Sequence, residues 1–484
     1  MKIKQVLAVL TILAMAHFTS ISRAADITAI SSGSWGDTNI WNSGTVPGPT
    51  DDVDIPFGFN VTVDTNATVQ YIYDYGTVTM AANSTLTLLT DAGIHPETTL
   101  NTTANGNTVI YLANPFYAVR QTGYFNLVIA NTNYVNPLPP YGSPWQYFNN
   151  FSSAQGPTPM TIAGNMTLMG AVYVQQGTDG PGVSSDISIG GNLIIGTGCA
   201  WDTSGANLTV VSNTFVYGLL QDLNGALGSN YVGGNVIVAG PGTSVKTWSG
   251  GNYTNGWYVS DVTTWGVGGG LTNNGSIFGL GYGSISFDGT GAITGTNIVK
   301  IPTITVNGPY SVGTTIILTT NTPTLNGTLV FDLARTNQIV LPAYVGTALY
   351  YDGSLNVINS GPAPASGKSF QLFNSPGGYG GAFTSTSFPS LPAGLSWVDD
   401  TLTSGSIAVT GTVLGSPTLT LSRSGGVLTV SWNSTTFPGY SVQGQTNIAG
   451  IHSNWGPTGS GTVSPFTIAI NPANPPVFFR LSNP

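Results

Sequence analysis

The sequence predicts an all-β chain whose body is a right-handed parallel β-helix, a solenoid of stacked coils, followed by a C-terminal β-sandwich. Three observations carry that expectation. First, a short phrase recurs: a Gly or polar residue, an Asn, then three or four mostly apolar β-formers. It reads Asn107-Thr-Val-Ile-Tyr-Leu, Asn126-Leu-Val-Ile, Asn165-Met-Thr-Leu, Asn192-Leu-Ile-Ile, Asn207-Leu-Thr-Val and Asn235-Val-Ile-Val. Strands that begin again and again at one residue type mark a stacked repeat, because one repeat cannot bury its own apolar face. Second, helix formers are nearly missing. Glu97 is the sole glutamate and Lys is rare, while short runs of Val, Ile, Thr, Leu and Tyr alternate with Gly, Asn, Asp and Pro. Third, only 6% of the 484 residues are charged and 65 are Gly, where an average domain has about 25% charged residues. Low charge with many β-branched and aromatic residues is the reverse of a disordered composition.

The elements follow in chain order. Residues 1–24 read as a signal peptide. Lys2 and Lys4 give a basic start, residues 6–16 an apolar run, and Ser22-Arg23-Ala24 a small-x-small cleavage site. The apolar run is too short to span a bilayer as a mature helix. The expectation is a chain exported to the extracellular space or cell surface, with no transmembrane segment after cleavage. Losing Lys2, Lys4 and Arg23 leaves 7 of 10 basic residues against 19 acids. Phosphate recognition needs clustered Lys and Arg, so nucleic acid is excluded as a partner. One cysteine, Cys199, excludes an internal disulfide framework and reads as a core thiol.

Residues 25–115 form a β-rich N-terminal cap and the first coils. Gly33-Ser-Trp35, Trp41, Val46-Pro47-Gly48, Asp51-Asp52, Asp54-Ile55-Pro56 and Val61-Thr-Val63-Asp64 follow in that order. This order resembles the G8 domain, a module at the start of some extracellular β-helix proteins. The resemblance implies a cap over strand edges that would otherwise pair with other chains.

Residues 116–414 form the repeat body. The phrase recurs at gaps of 19, 39, 27, 15 and 28 residues. A coil of roughly 20–30 residues fits, with 39 read as two coils and 15 as a spacing within one coil. Asn stacked at one position predicts a hydrogen-bonded ladder. Tyr124-Phe125-Asn126-Leu127 and the Gly-Asn-apolar phrases resemble the repeat arrays of exported bacterial surface proteins. Gly327-Thr-Leu-Val-Phe331-Asp332-Leu, Gly353-Ser-Leu-Asn-Val, Gly367-Lys-Ser-Phe370-Gln-Leu-Phe373 and Leu391-Pro-Ala-Gly-Leu-Ser-Trp397 resemble the C-terminal part of autotransporter-type repeat proteins of Verrucomicrobia and their relatives.

Residues 415–484 carry closely spaced alternating strands, such as Leu428-Thr-Val-Ser-Trp432 and Tyr440-Ser-Val-Gln443, which predict a sandwich. This segment resembles the small immunoglobulin-like module that closes many such proteins. Trp35, Trp41, Trp432 and Trp455 read as core residues of the two end modules.

Chemistry-bearing groups are sparse, and no catalytic residue is assigned. Gly361-Pro-Ala-Pro-Ala-Ser-Gly367-Lys368-Ser369 imitates a phosphate loop, but it has five residues between the glycines, and its prolines lack amide hydrogens. After cleavage His95 and His452 are the remaining histidines, too few for a zinc site or a serine triad. Asp51, Asp52 and Asp54 admit two readings. One is a solvated turn whose carboxylates bond their own backbone; the other is a Ca²⁺ site, the one cofactor the sequence admits. Two aromatic segments interrupt the repeats and offer Trp145, Tyr147, Trp248, Trp257, Tyr258 and Trp265. Such rings stack on sugar faces, or pack against the coil sides as satellite core.

The expected function is an exported, non-enzymatic structural or adhesive protein of the bacterial surface or extracellular matrix. Its expected partners are polysaccharide or other surface proteins. The alternative is a polysaccharide-degrading lyase or glycoside hydrolase on the same scaffold. A hydrolase needs two carboxylates at a set separation, and Asp179, Asp186, Asp202 and Asp222 are the solenoid acids that would have to align.

Overall fold

The computed structural model describes residues 26–73, 75–89, 94, 98–112, 123–131, 146–149, 160–170, 172–176, 186–203, 206–221, 229–239, 245–246, 252–253, 256–259, 264–279, 283–413, 415, 417–437, 439–445, 455–457, 464–471, 473 and 477–482. The expected signal peptide, residues 1–24, lies outside them.

The chain is all-β and its sheets are mostly parallel. It divides into two compact units. The first holds residues 1–360, 371–388 and 401–406. The second holds 361–370, 389–400 and 407–484, and so takes in segments ahead of residue 415.

The first unit is a stack of three-sided coils. Its sheets contain fourteen, ten and eight strands. Successive strands visit these sheets in a fixed order. Ile187–Ile189 lies in the eight-stranded sheet, Leu193–Ile195 in the fourteen-stranded and Ala200–Asp202 in the ten-stranded. Leu208–Val210, Thr214–Val216 and Leu219–Gln221 then repeat the round one coil later. Every pairing between these rounds is parallel and in register. Parallel neighbours need a connection that travels around the body and returns, which is what a coil provides.

Alternation decides which residues fill the interior. In Leu193–Ile195 the outer two residues are buried and Ile194 is half-buried. Registered pairing then builds apolar columns, such as Leu127, Met166 and Leu193, each with no exposed surface. Burying a side chain of this size stabilises by about 1.5–3 kcal/mol, and each coil contributes several. Near the end of the unit Phe331, Tyr351, Phe373 and Phe383 pack ring to ring, with neighbouring centroids 4.5–5.8 Å apart.

Coils without long insertions return to the same face after 17–22 residues, 17 between Val299 and Ile316 and 22 between Asn213 and Asn235. Longer gaps are insertions rather than extra coils. Asn126–Asn131 pairs directly with Met166–Gly170, so the gap of 39 is one turn carrying a long excursion, not the two coils the spacing suggested.

The first coils use three shorter faces. Asp26–Thr28, Asp52–Asp54 and Tyr71–Tyr73 form one. Gly33–Ser34, Asn60–Val63, Thr77–Met80 and Thr99–Asn101 form the next, and Ala67–Val69 opens the fourteen-stranded sheet. Trp35 and Trp41 are buried there edge to face, centroids 5.2 Å apart, and the Trp41 Nε1–H donates to the Trp35 carbonyl at 3.0 Å.

Among the described residues the second unit includes two three-stranded antiparallel sheets, besides most of a third sheet built from Ser369–Gln371, Ser406–Gly411 and Leu395–Asp400. Thr420–Ser424, Val427–Ser431 and Phe466–Ala469 form one; Gly456–Pro457, Ser441–Gln445 and Phe478–Ser482 form the other. Val430, Trp432 and Val442 are buried in one shared core, with Phe466, Phe479 and Leu481 packed against it. Trp455 departs from its expected core role. It is half-exposed and the Arg480 guanidinium sits 4.6 Å from its ring centroid.

Candidate functional site

The most continuous side-chain feature of the first unit lies at one corner, between the eight- and fourteen-stranded sheets. Asn165, Asn192, Asn213 and Asn235 each precede a strand of the larger sheet. The Asn126 Oδ1 accepts from the Asn165 backbone N–H at 2.9 Å. The Asn165 oxygen accepts both the N–H and the side-chain amide of Asn192, at 2.8 and 3.0 Å. Asn192 does the same for Asn213, at 3.1 and 3.2 Å, and Asn213 for Asn235, at 2.9 and 3.1 Å. The Asn235 oxygen then accepts from the Gly270 N–H at 2.7 Å, where the ladder stops.

The same corner explains why Gly comes before Asn. A Cβ added at Gly191 would lie 2.6 Å from the Asn165 oxygen, and one at Gly234 would lie 2.7 Å from the Asn213 oxygen. The missing side chain leaves room for both the preceding coil's amide and its main-chain carbonyl, the Gly164 oxygen at 2.5 Å from the Gly191 position and the Ser212 oxygen at 2.6 Å from the Gly234 position. Gly here serves close approach rather than an unusual φ.

Two members of the sequence phrase behave differently. Asn207 is not on this ladder. It precedes a strand of the eight-stranded sheet, where its N–H and side-chain amide donate to Asp186 at 2.9 and 3.1 Å, and its own oxygen accepts from the Ser229 N–H at 2.8 Å. The gap of 15 is therefore a spacing within one coil, as expected. Asn213, in Ser212-Asn213-Thr214-Phe215, is the member that sequence reading missed. Its separations of 21 and 22 residues from its ladder neighbours were the available signal. Asn107 begins the series with a buried side chain, and Asn126 donates to its main-chain oxygen at 3.0 Å.

A second feature is the outward face of the first small sheet. Registered pairing sets Asp26, Asp52 and Tyr71 in one row across three coils, and Thr28, Asp54 and Tyr73 in the next. Ile27, Val53 and Ile72 alternate with them and are buried beneath. The Tyr71 and Tyr73 rings meet edge to face with centroids 4.2 Å apart. Tyr73 is 43% exposed, and Tyr75 beyond it 54%. Partial burial first, then the charges of Asp26 and Asp51, push the Asp52 carboxyl above its ordinary value. Burial also raises the Tyr73 hydroxyl, with Asp52 and Asp26 adding to it. The face is acidic, partly desolvated and aromatic. Its signal in the sequence was the repeated alternation of Asp52-Val53-Asp54 and Tyr71-Ile72-Tyr73, one coil apart.

This geometry separates the three acids proposed for Ca²⁺. The Asp51 carboxylate accepts from the Gly48 N–H at 2.8 Å, closing the turn. Asp52 and Asp54 stand in different rows of the sheet face. Among the described residues no group of three or more His, Cys, Asp or Glu side chains is placed to hold a metal ion.

The aromatic candidates divide as well. Trp265 is fully buried, in register between Asn230 and Ile285. It has no ring face for a sugar and belongs to the core, which corrects the stacking role expected of it. Tyr147 lies in the strand Gln146–Asn149, and Trp257 and Tyr258 lie in Gly256–Val259, all in the ten-stranded sheet. Trp145 and Trp248 fall outside the described residues.

The two described solenoid acids, Asp186 and Asp202, belong to different sheets. Asp186 is engaged by Asn207 in the eight-stranded sheet. Asp202 is buried in the ten-stranded sheet and accepts from the Gln221 side chain at 3.3 Å. Asp179 and Asp222 lie outside the described residues. Cys199 is buried, its thiol 3.0 Å from the Gly170 carbonyl, and desolvation pushes it up to about 12, far from the thiolate range that reactivity requires. At the imitation phosphate loop, the Gly367 N–H is already spent on the Val409 carbonyl at 2.8 Å.

No family model, curated protein or solved structure matches this chain. Among the described residues no helix is long and apolar enough to cross a membrane.

Proposed function

We propose that this chain is an exported, non-enzymatic structural or adhesive protein of a bacterial surface or extracellular matrix. Its body is a right-handed parallel β-helix that begins in a G8-like module and belongs with the autotransporter-type repeat proteins. Its last residues form an immunoglobulin-like sandwich. The observation that carries the functional reading is the asparagine ladder, which ties coil to coil from Asn126 to Gly270. Each such bond adds about 0.5–1.5 kcal/mol, and the bonds act only between neighbours, so the stack gains persistence along its axis. Long-lived persistence suits a surface or matrix element exposed to proteases. The adhesive part of the reading draws on the exposed tyrosine and carboxylate face of the first sheet, since aromatic rings with polar neighbours are the groups that hold sugars.

Three measurements test the reading. Fractionation of producing cells should place the protein at the surface or in the medium. Prolonged protease treatment should leave the ladder region intact. Incubation with neutral and acidic polysaccharides in the presence of Ca²⁺ should retain protein on the glycan without releasing soluble oligosaccharide. Release above a heat-killed control would make the chain an enzyme and overturn the proposal.

A further inference from the structure

We propose that the outward face of the sheet Asp26–Thr28, Asp52–Asp54 and Tyr71–Tyr73 binds a polysaccharide of unacetylated amino sugars, a chain that carries ammonium groups. The assignment deepens the adhesive reading above and rests on it. The argument starts from register. Parallel coils stand about 4.8 Å apart and alternate residues about 7 Å apart along a strand. The rows Asp26, Asp52, Tyr71 and Thr28, Asp54, Tyr73 therefore make a small flat grid, with aromatics at one end and carboxylates at the other. No Lys or Arg occurs between Asp26 and Tyr75. The tyrosine rings stand edge to face, with Tyr73 open to solvent.

Two requirements select the occupant. Asp26 and Asp52 are paired in register on this face, and burial first, then the charges of Asp26 and Asp51, raise the Asp52 carboxyl. A cation set among them relieves that repulsion, and an ammonium donates hydrogen bonds that carboxylates accept strongly. The rings ask for a flat apolar face, and the CH face of a hexose supplies one. An amino sugar carries both features on one residue. A neutral glycan offers only the flat face, and a lysine-rich peptide only the cation.

The test is calorimetric titration of the purified protein with a glucosamine hexamer, with its fully N-acetylated counterpart and with oligolysine, at a mildly acidic pH. The expected result is binding of the glucosamine hexamer that weakens with salt, with the acetylated hexamer bound about tenfold more weakly or worse. Asp26→Asn with Asp52→Asn should weaken the glucosamine hexamer by about tenfold, the loss expected for charged hydrogen-bond partners. Tyr73→Ala should weaken the glucosamine hexamer but leave oligolysine unchanged, and Tyr73→Phe should restore most of the affinity. Asp26 and Tyr73 are exposed and Asp52 is half-buried, and a single cooperative melting transition verifies that each variant folds. Equal binding of both hexamers, indifference to Tyr73→Ala, oligolysine binding as tight as the sugar, or no binding at all would overturn the assignment. A protein that is surface-located and protease-resistant, yet ignores the glucosamine hexamer, loses this site and keeps its structural role.

Discussion

The corner between the eight- and fourteen-stranded sheets is built twice, by different means. From Asn126 to Asn235 the coils are joined by side-chain amides, and Gly clears the space for them. From Gly268 onward the order inverts. Asp288, Asn307 and Asn326 now precede Gly289, Gly308 and Gly327, and their side chains bond outside the corner, Asn307 to Asp288 at 2.8 Å and Asn326 to Asn307 at 3.1 Å. At the corner itself the backbone closes in. A Cβ at Gly289, Gly308 or Gly327 would fall on the carbonyl oxygen of the glycine one coil earlier. Tyr310 reaches the end of the amide ladder from inside, its hydroxyl donating to the Gly269 carbonyl at 2.8 Å. Close backbone approach at glycine is common to both stretches, since a Cβ at Gly191 or Gly234 would also lie 2.5 or 2.6 Å from a carbonyl oxygen one coil earlier; what the earlier stretch adds is the amide bridge.

The contrast can be broken most severely in the later coils. Gly308→Ala sets a Cβ against rigid backbone, with no flexible side chain to yield. A loss of about 4 kcal/mol or more is expected, read as exposure of residues 289–353 to limited proteolysis. In the earlier coils Asn192→Ala removes one acceptor that serves two donors and strands the Asn213 N–H. Chemical denaturation should show a loss of about 2–3 kcal/mol, whereas Asn207→Ala on the exposed ladder should lose only about 1 kcal/mol. An Asn207 variant as damaging as the Asn192 variant would erase the distinction between the two ladders. Tyr310→Phe should cost about 1–2 kcal/mol, because it keeps the ring packed on Phe287 and leaves the Gly269 carbonyl unbonded.

The smallest effects are in pH. Hydrogen bonds from Ser360 hold the Asp332 carboxyl below 3.8 in the folded chain. Its contribution is complete above that value and is lost as pH falls toward the lowered one. Asp52 has the opposite sign. Its folded value is raised above 3.8, so its burden is absent below 3.8 and grows as pH rises through the raised value. Melting temperatures across acid pH should therefore show Asp332→Asn reducing the acid-side loss below 3.8. Asp52→Asn should instead flatten the decline above it.

Much of the fold was legible because one stacked position repeats one residue type. The Asn phrases exposed the strand starts, and the alternation within each strand exposed the interior. The register was harder to see. Insertions of unequal length hide a coil of 17–22 residues, and the phrase also occurs at a second corner, which groups Asn207 with the ladder and conceals Asn213. The candidate binding face was less legible still. Asp52 and Tyr71 become neighbours only through pairing of successive coils, while the run Asp51, Asp52 and Asp54 hides that Asp51 closes a turn and that Asp52 and Asp54 share one face in different rows. Trp265 shows the same limit for rings. Composition marks it as aromatic, but only register tells that it faces the core.

The amide ladder also has a direction. Each asparagine oxygen is turned toward the coil that follows it in the chain, and each N–H toward the coil before. A polypeptide that emerges N-terminus first, as every nascent chain does, would meet, at every turn, a finished coil with its acceptor already in place. The ladder then works as a template for vectorial folding, in which each coil is nucleated on the last, and the loop-closure entropy of a non-local fold is divided into steps of one turn each.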